Sequence, residues 1–273
     1  YIVFADKVIH DSNSNNQLDF GEAIDLDVAL KNVGSDPMEA FEAVLETESE
    51  YITITNGIAQ YEDLAPNATQ NLANAFSFTV ADDVPDNTTN HFTITVTNGD
   101  EAYVSNLVMK AFAPVFNLGS IAITEVNGNG NGRLDAGETA QLSFAIQNIG
   151  HADAAATIAT LQILSPYITL AENAVDFDNV NAGEIQNAVF DISISSDTPI
   201  GYSCPLILNV SSGRYSEAKD YSVKVGLILE DFESGQFGEG WSTSANHPWT
   251  FVTQAPYQGQ YCVKSGGAGV NNV

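Results

Sequence analysis

Two loops rich in Asn, Asp and Gly contain the residues whose types and spacing could bind a metal ion. The first, loop 1, is a twelve-residue window from residue 11 to residue 22. Oxygen-bearing side chains fill its positions 1, 3, 5, 9 and 12, and a backbone carbonyl is available at position 7; these residues are Asp11, Asn13, Asn15, Gln17, Asp19 and Glu22. Calcium loops of the EF-hand type have the same spacing, because alternate residues of a tight turn direct oxygens at the ion. Loop 1 therefore predicts a calcium site.

A second window, loop 2, repeats this spacing 116 residues later. Gly132 stands at its position 6, where the sharp turn favours glycine, whereas loop 1 has Asn16, which tolerates a left-handed backbone. Because loop 1 offers three carboxylates and loop 2 two, we expect tighter binding in loop 1, in the weak range of roughly 10⁻⁴–10⁻³ M. The ligand positions of loop 2 are filled by Asn127, Asn129, Asn131, Arg133 (through its backbone carbonyl), Asp135 and Glu138.

The same composition also suits a long β-turn that binds no metal. Asn and Asp side chains commonly cap backbone amides in turns, and Gly allows the chain to reverse. The residues on both sides of each loop have the pattern of strands, so neither loop belongs to a helix–loop–helix module. Calcium loops and plain turns both remain open from the sequence.

Both loops are parts of a longer internal repeat, which organises most of the chain. The offset is 116 residues over the first part of the repeat and 114 over the second. A register of this length indicates two copies of a whole domain. The matched segments are 18–22 with 134–138, 32–34 with 148–150, 51–54 with 167–170, and 92–96 with 206–210.

Within each copy, apolar and polar residues alternate with a period of two, which is typical of strands with one buried face. The pattern predicts an all-β chain with two tandem immunoglobulin-like β-sandwiches, at residues 1–113 and 114–225, in which Leu26 and Leu142 are equivalent buried residues. The register ends near residue 225. Residues 226–273 contain both tryptophans amid many aromatics and glycines, and are expected to be the truncated start of a jelly-roll domain.

Charge and composition exclude several classes of partner. The net charge is −27, and residues 1–113 alone have 19 acidic and 3 basic side chains. Such a field repels phosphate backbones and anionic lipid surfaces, so nucleic acid is excluded as a partner. No apolar run is long enough to cross a bilayer, which predicts no membrane insertion.

No group of residues in the sequence has the pattern of a catalytic centre. The four histidines show no metal-ligand spacing with one another or with the two cysteines. Cys204 lies beside a strand pattern and is expected to be a free buried thiol. We therefore predict no catalytic residues. The aromatic side chains of the last segment are expected to form the core and edge of a jelly roll rather than a platform on which sugars stack.

The repeat resembles a known family of modules. An Asn/Gly-rich loop ending in Leu-Asp-x-Gly-Glu (18–22 and 134–138), then an alternating strand and Asn-x-Gly, is similar to immunoglobulin-like modules in exported proteins of the Bacteroidetes, which often follow gingipain-type cysteine protease domains. The segment 230–235, with Trp241, Trp249 and residues 257–261, resembles the start of the cleaved-adhesin jelly roll of the same proteins. The resemblance implies a secreted or outer-surface location, with neighbouring domains of the same polypeptide, and a host protein or glycan, as partners.

Three functional hypotheses follow from the sequence. The leading one is a non-catalytic accessory region, a stalk with adhesion as a further role, stabilised by calcium. The first alternative is the non-catalytic part of a gingipain-like cysteine peptidase whose catalytic domain lies outside this chain. The second alternative is a carbohydrate-binding module built on the aromatics near the end of the sequence.

Overall fold

A computed structural model describes residues 1–99, 101–226, 232, 234–237, 241–243, 245–246, 248–254 and 260–266. Every regular element among these residues is a β-strand, so the predicted all-β class is confirmed. Val, Ile, Phe, Tyr and Thr recur along the strands because branched and aromatic side chains pack well on a pleated, half-buried surface. None of the described residues belongs to a helix long and apolar enough to cross a membrane.

Two facing sheets form the first sandwich. One has the order β1-β3-β7-β5 and the other β2-β9-β8-β4-β6, and only the short β2 pairs in parallel, with β9. The strands are β1 (Ile2–His10), β2 (Leu18–Asp19), β3 (Ala23–Asn32), β4 (Phe41–Thr47), β5 (Ile52–Asn56), β6 (Ile58–Tyr61), β7 (Thr69–Val80), β8 (Thr88–Asn98) and β9 (Glu101–Phe112).

The second sandwich reproduces this topology. Its sheets have the orders β10-β11-β15-β13 and β14-β12-β16-β17, which match those of the first sandwich except that no strand corresponds to β2. The pairing of β2 with β9 is reduced here to a parallel bridge between Leu134 and Val225. The strands are β10 (Phe116–Asn127), β11 (Thr139–Asn148), β12 (Ala154–Ile163), β13 (Ile168–Leu170), β14 (Ala174–Val180), β15 (Ile185–Ile194), β16 (Tyr202–Ser212) and β17 (Tyr215–Val225).

Each sandwich has its own hydrophobic core, formed by the alternating residues that the sequence pattern predicts. Leu26 and Leu142 are both fully buried, and β11 alternates between buried and partly buried residues along its whole length. The buried side chains form two separate clusters, one drawn from residues between 2 and 111 and the other from residues between 116 and 225. Because a domain boundary is a statement about independent folding, the predicted division after residues 113 and 225 stays a prediction.

A buried asparagine explains the Asn-x-Gly motif of the first sandwich. The Asn32 side chain is completely buried, and its amide nitrogen donates to the carbonyl oxygens of Asp36 (2.8 Å) and Leu64 (3.0 Å). Its amide oxygen accepts from the backbone N–H of Gly34 (2.9 Å). The buried amide therefore fastens two chain reversals to the end of β3, with its donors and its acceptor satisfied.

Asn148 repeats this arrangement in the second sandwich and also holds the connection between the sandwiches. Its amide nitrogen donates to Ala152 O (2.9 Å) and Val180 O (3.1 Å), and its oxygen accepts from the N–H of Gly150 (3.0 Å) and of Val115 (3.2 Å). A Cβ on Gly150 would lie 2.3 Å from a carbonyl oxygen of the connecting segment. Glycine is required there because the connecting chain passes directly against it.

The third segment is described only in part. Strands β18 (Trp249–Val252) and β19 (Cys262–Ser265) form an antiparallel hairpin. The remaining residues expected to open a jelly roll lie mostly outside the described residues, and so does much of the adhesin-like motif of residues 230–235 and 257–261.

Candidate metal centre

Loops 1 and 2 each connect the first strand of a sandwich to the central strand of the same sheet. Loop 1 runs from the end of β1 to the start of β3, and loop 2 from the end of β10 to the start of β11. Both have a left-handed backbone at positions 4 and 6: φ is 60° at Ser14 and 61° at Asn16, and 78° at Gly130 and 74° at Gly132. The predicted turn at position 6 is therefore present in both loops, and Asn16 adopts it without glycine.

Asp19 is the centre of loop 1. The side-chain nitrogens of Asn13 and Asn15 donate to its Oδ2 atom, at 3.0 Å and 2.8 Å. Positions 3, 5 and 9 of the predicted calcium window thus converge on one carboxylate.

Other oxygens of loop 1 cap backbone amides. Asp11 accepts from the N–H of Asn15 (3.1 Å) and of Asn16 (2.7 Å). The amide oxygens of Asn13 and Asn15 accept from the N–H groups of Asn15 (3.0 Å) and Gln17 (2.8 Å). These are the hydrogen bonds expected of a long turn, and they fix the loop in a tight coil.

Glu22, at position 12, closes loop 1 from the strand side. It accepts from the hydroxyl of Ser12 (2.7 Å) and from the N–H of Asp19 (3.2 Å). Glu22 is 8% exposed, and burial is the main cause that raises the pKa of its carboxyl above the usual range. Glu22, the predicted bidentate ligand, therefore lies at the base of the loop, and each of its carboxylate oxygens accepts a hydrogen bond from the protein.

Two oxygens of loop 1 are buried without a hydrogen-bond partner. They are Asp19 Oδ1 and Gln17 Oε1, at positions 9 and 7 of the window. Asp19 is 5% exposed, and burial raises the pKa of its carboxyl although the amides of Asn15 and Asn13 oppose the shift. A buried acceptor without a donor costs about 1–3 kcal/mol, and more when it is charged, so a ligand that satisfied it would stabilise the fold. Calcium takes carboxylate and amide oxygens, so these residues fit the ion.

Loop 2 has the same convergence of side chains. The nitrogens of Asn129 and Asn131 donate to Asp135 Oδ2 at 2.8 Å and 2.7 Å. Glu138 accepts from the N–H of Asn129 (2.9 Å) and of Asp135 (3.0 Å), and a Cβ on Gly128 would lie 2.6 Å from its Oε1 atom. Loop 2 has Gly128 where loop 1 has Ser12, and without a side chain there the Glu138 carboxylate lies close to the backbone.

The start of loop 2 departs from the predicted window. Asn127, the predicted first ligand, is the last residue of β10, next to a bulge between Glu125 and Asn127. Glu125 takes the capping role that Asp11 has in loop 1, since it accepts from the N–H of Gly130 (2.6 Å) and of Arg133 (3.0 Å). Sequence reasoning missed Glu125 because it precedes the window by two residues, and only the bulge turns it towards the loop. The backbone N–H of Arg133 also donates to Asn131 Oδ1 (2.9 Å).

Carboxylates alone do not form the candidate centres. Within the described ranges, no group of three or more His, Cys, Asp or Glu side chains is arranged to hold a metal ion. A cation in loop 1 would thus depend on the amide oxygens of Asn13, Asn15 and Gln17 as well as on Asp19. Ligands of this mixed type suit a hard, flexible ion such as calcium better than the strictly octahedral magnesium.

Neither cysteine forms a disulfide, and Cys204 does not have the environment of a reactive thiol. Cys204 is completely buried within the second core, as expected, and burial raises the pKa of its thiol. A thiol with a raised pKa is a poor nucleophile, because the thiolate is the reactive form. Cys262 lies in β19, and its sulfur is 3.6 Å from the carbonyl oxygen of Gln254.

Comparisons with known proteins add no family to this description. No protein-family model matches the chain, and no curated protein matches it in sequence. Among solved structures, a red sea bream transglutaminase aligns at 12% identity with a TM-score of 0.32, over 80% of this chain and 31% of that chain.

Two further solved structures are covered almost completely. A Porphyromonas gingivalis W83 protein of unknown function aligns at 11% identity and a TM-score of 0.25, over 83% of this chain and 96% of that one. A protein titled BspA_C_mut aligns at 7% identity and a TM-score of 0.38, over 82% and 98%. With scores this low, the three similarities support no statement about activity or partners.

Proposed function

We propose that this chain is a non-catalytic accessory region of an exported cell-surface protein, a stalk of two sandwiches that calcium stabilises. Two copies of one fold joined by a three-residue connection suit a spacer, because each copy adds length without adding chemistry. The surplus of negative charge keeps such a spacer soluble and favours cations. Its partners would be the neighbouring domains of the same polypeptide and, for adhesion, a host protein or glycan.

The observation that carries the calcium proposal is the pair of unpartnered oxygens in loop 1. Asp19 is only 5% exposed, and its Oδ1 atom receives no hydrogen bond. Gln17 Oε1, from the residue two positions earlier in the window, is also buried and receives none. Calcium would supply the missing interaction. Loop 2 has no such unpartnered oxygen among its side chains. We therefore propose loop 1 as the principal site and loop 2 as a weaker one.

Thermal unfolding in calcium and in magnesium tests this proposal. A ligand that binds only the folded state at about 100 times its dissociation constant stabilises by roughly 2.7 kcal/mol. We expect the melting temperature to rise more in about 10 mM calcium than in equal magnesium, because magnesium demands a smaller octahedral shell. Magnesium also controls for the screening of negative charge.

Matched variants locate the effect. Asp19→Asn should remove most of the calcium-specific rise, and Asp135→Asn should remove less. Asp176→Asn deletes the same charge from an exposed position of β14 and should leave the rise unchanged. Equal responses to calcium and magnesium in the wild type, or an undiminished calcium response in Asp19→Asn, would show that the loops are only turns.

A second candidate function, sugar binding by the last segment, is favoured by two half-exposed tryptophans. Trp241 and Trp249 are 43% and 45% exposed, and the ring of Phe237 stacks on Trp241 with centroids 6.0 Å apart. Flat aromatic faces open to solvent can stack on sugar rings. A change in tryptophan fluorescence on titration with soluble polysaccharides, lost in Trp241→Ala or Trp249→Ala, would support this function. No change with any polysaccharide would count against it.

A further inference from the structure

Loop 1 lies against the joint between the two sandwiches. The joint is defined here by Phe20, Asp82, Val84 and Asp86 of the first sandwich and His151, Arg214 and Tyr215 of the second. Phe20 follows Asp19 directly, and its ring meets the ring of Tyr215 edge to face, with centroids 4.9 Å apart. A residue inside the candidate calcium window is therefore part of the contact between the sandwiches.

Tyr215 anchors the second sandwich to the first through both ends of its side chain. Its hydroxyl donates to the carbonyl oxygen of Val84 (2.8 Å), while its ring contacts the ring of Phe20. Burial raises the pKa of Tyr215 to about 12, and Asp83, Asp82 and Asp86 add to the rise. Beside it, the Nε atom of Arg214 is 2.8 Å from Asp82 Oδ2.

Asp86 fixes the other side of the joint. Its Oδ1 atom accepts from the N–H of Ala113 (3.0 Å) and of His151 (3.2 Å), and its Oδ2 atom is 2.7 Å from His151 Nδ1. The His151 ring also contacts the ring of Phe112, with centroids 5.4 Å apart. The contacts are few, and the side chains of Arg214 and Asp82 are each more than 60% exposed, so their ion pair is worth little by itself.

Backbone hydrogen bonds connect loop 1 to this joint. Leu18 and Asp19 pair in parallel with Ala111 and Phe112, the last residues of the first sandwich. The N–H of Phe20 donates to Phe112 O (3.0 Å). In the same turn, the N–H of Gly21 donates to Ala81 O (3.3 Å), next to Asp82. Whatever fixes Asp19 and Glu22 therefore also fixes Phe20 and the strand end that leads into the second sandwich.

We propose that calcium bound in loop 1 stiffens the joint between the two sandwiches. This inference rests on the calcium site proposed above and adds what the ion would do there. Calcium pins Asp19 and Glu22, the intervening Phe20 is held for Tyr215, and the two sandwiches keep one relative orientation. Small interfaces between domains permit relative motion by default, so a device that limits it decides the stiffness of a stalk. Because coupling is reciprocal, docking of the sandwiches also tightens calcium binding.

Loop 2 offers a matched control within the same chain. The position of Phe20 is occupied there by Ala136, which has no ring to offer a neighbour. Loop 2 also lies at the opposite end of the second sandwich, where Leu134 bridges Val225 and accepts from the N–H of Gly226 (2.8 Å). Calcium in loop 2 should therefore have no effect on the joint between the two sandwiches.

Distances between spin labels on the two sandwiches test the proposal in the full chain. Labels at Glu46→Cys and Asp176→Cys, both exposed strand positions, are introduced in a Cys262→Ser background. Cys204 is completely buried and is not expected to react. We expect about 10 mM calcium to narrow the distribution of distances and equal magnesium to do so less. Asp135→Asn should narrow like the parent protein, whereas Asp19→Asn should not narrow.

Two further variants separate the joint from the calcium site. Phe20→Ala and, from the other sandwich, Tyr215→Ala should retain a calcium-specific rise in melting temperature, reduced by the lost coupling, but should lose the narrowing of the distance distribution. If the melting temperature responds to calcium while the distribution keeps its width, the joint proposal is overturned and the calcium site stands. If neither quantity responds, both proposals are overturned. Full narrowing in Phe20→Ala and Tyr215→Ala would contradict the role given to these two rings.

Discussion

Loops 1 and 2 have one spacing and one backbone path but differ in how their oxygens are used. Both place two Asn side chains on the Asp at position 9 and a buried Glu below it. In loop 1, buried oxygens of Asp19 and Gln17 have no donor, whereas no side-chain oxygen of loop 2 is left buried and unpartnered. The shared spacing therefore produces the same turn in both loops, and buried oxygens without a donor are present in loop 1 alone of the two.

The sandwiches below the loops are expected to be equivalent, and two core substitutions test this. Leu26→Ala and Leu142→Ala each leave a cavity at a completely buried position, so each should cost about 3 kcal/mol of unfolding free energy. Urea unfolding followed by amide exchange, which separates the two sandwiches, measures both costs. A single shared transition, or costs that differ severalfold, would mean that the two halves are not independent copies.

The next largest loss of stability is expected from substitutions at position 2 of each loop, which is Ser12 in loop 1 and Gly128 in loop 2. Gly128→Ala puts a Cβ 2.6 Å from Glu138 Oε1, so the buried carboxylate must move and lose two amide donors, at about 2 kcal/mol. Ser12→Ala removes one hydroxyl donor from Glu22 and should cost about 1 kcal/mol. Chemical denaturation of both variants without added metal measures these costs, and the reverse order would refute the difference described between the loops.

Much of the fold could be predicted because alternation along each strand and the 116-residue register are properties of the sequence itself. The register correctly implied equivalent buried Leu residues and matching sheet orders. The buried amides of Asn32 and Asn148 were visible as a repeated motif, but their role depends on carbonyl groups of distant turns that no local pattern indicates.

The candidate site was less predictable. The window predicted that the side chains at positions 3, 5 and 9 meet, but with their oxygens facing an ion, whereas amide nitrogens contact the Asp carboxylate in both loops. The entry of Glu125 into loop 2 depends on a bulge in β10. The unpartnered state of Asp19 Oδ1 depends on packing around it, which spacing does not reveal. The contact of Phe20 with Tyr215 joins residues of different repeats, so an internal register could not predict it.

Backbone strain should distinguish the loops by a smaller amount. Ser14 adopts a φ of 60°, where loop 2 has Gly130, and a side chain in that conformation costs about 1 kcal/mol or more. Ser14→Gly should therefore stabilise the first sandwich by about 0.5 kcal/mol after the added freedom of the unfolded chain is included. Gly130→Ala should destabilise the second by about 1 kcal/mol through the backbone alone, since a Cβ there meets no atom within 4 Å. Thermal unfolding without metal measures both, and destabilisation by Ser14→Gly would contradict the expectation.

The smallest expected difference is a pH dependence confined to the first sandwich. His10 Nε2 lies 3.0 Å from Asp27 Oδ2, and their hydrogen bond raises the pKa of His10 above 6.5 and lowers the pKa of Asp27 below 3.8. The contribution of His10 is present below its unfolded pKa and is lost as pH rises through its raised value. That of Asp27 is present above its unfolded pKa and is lost as pH falls, so the pair stabilises most between about pH 4 and 6.5.

The second sandwich has Val126 and Ser143 at the equivalent positions and lacks this pair. Melting temperatures measured in EDTA from about pH 4 to about pH 9 should show a small loss in His10→Gln at acidic pH that vanishes above neutral pH. An equal loss at all pH values would show that the charge of His10 is not its cause.

The most direct test of the account is a crystal structure of the full chain grown in calcium, with the ion located by its anomalous scattering. We expect a peak in loop 1 at about 2.3–2.6 Å from Asp19 Oδ1 and from the oxygens of its neighbours in the window, with lower occupancy in loop 2. The same structure would show whether Gln17, at position 7, binds the ion through its side-chain oxygen or through its backbone carbonyl. A loop 1 without a peak at saturating calcium, in which Asp19 Oδ1 binds water or a protein donor, would contradict the account.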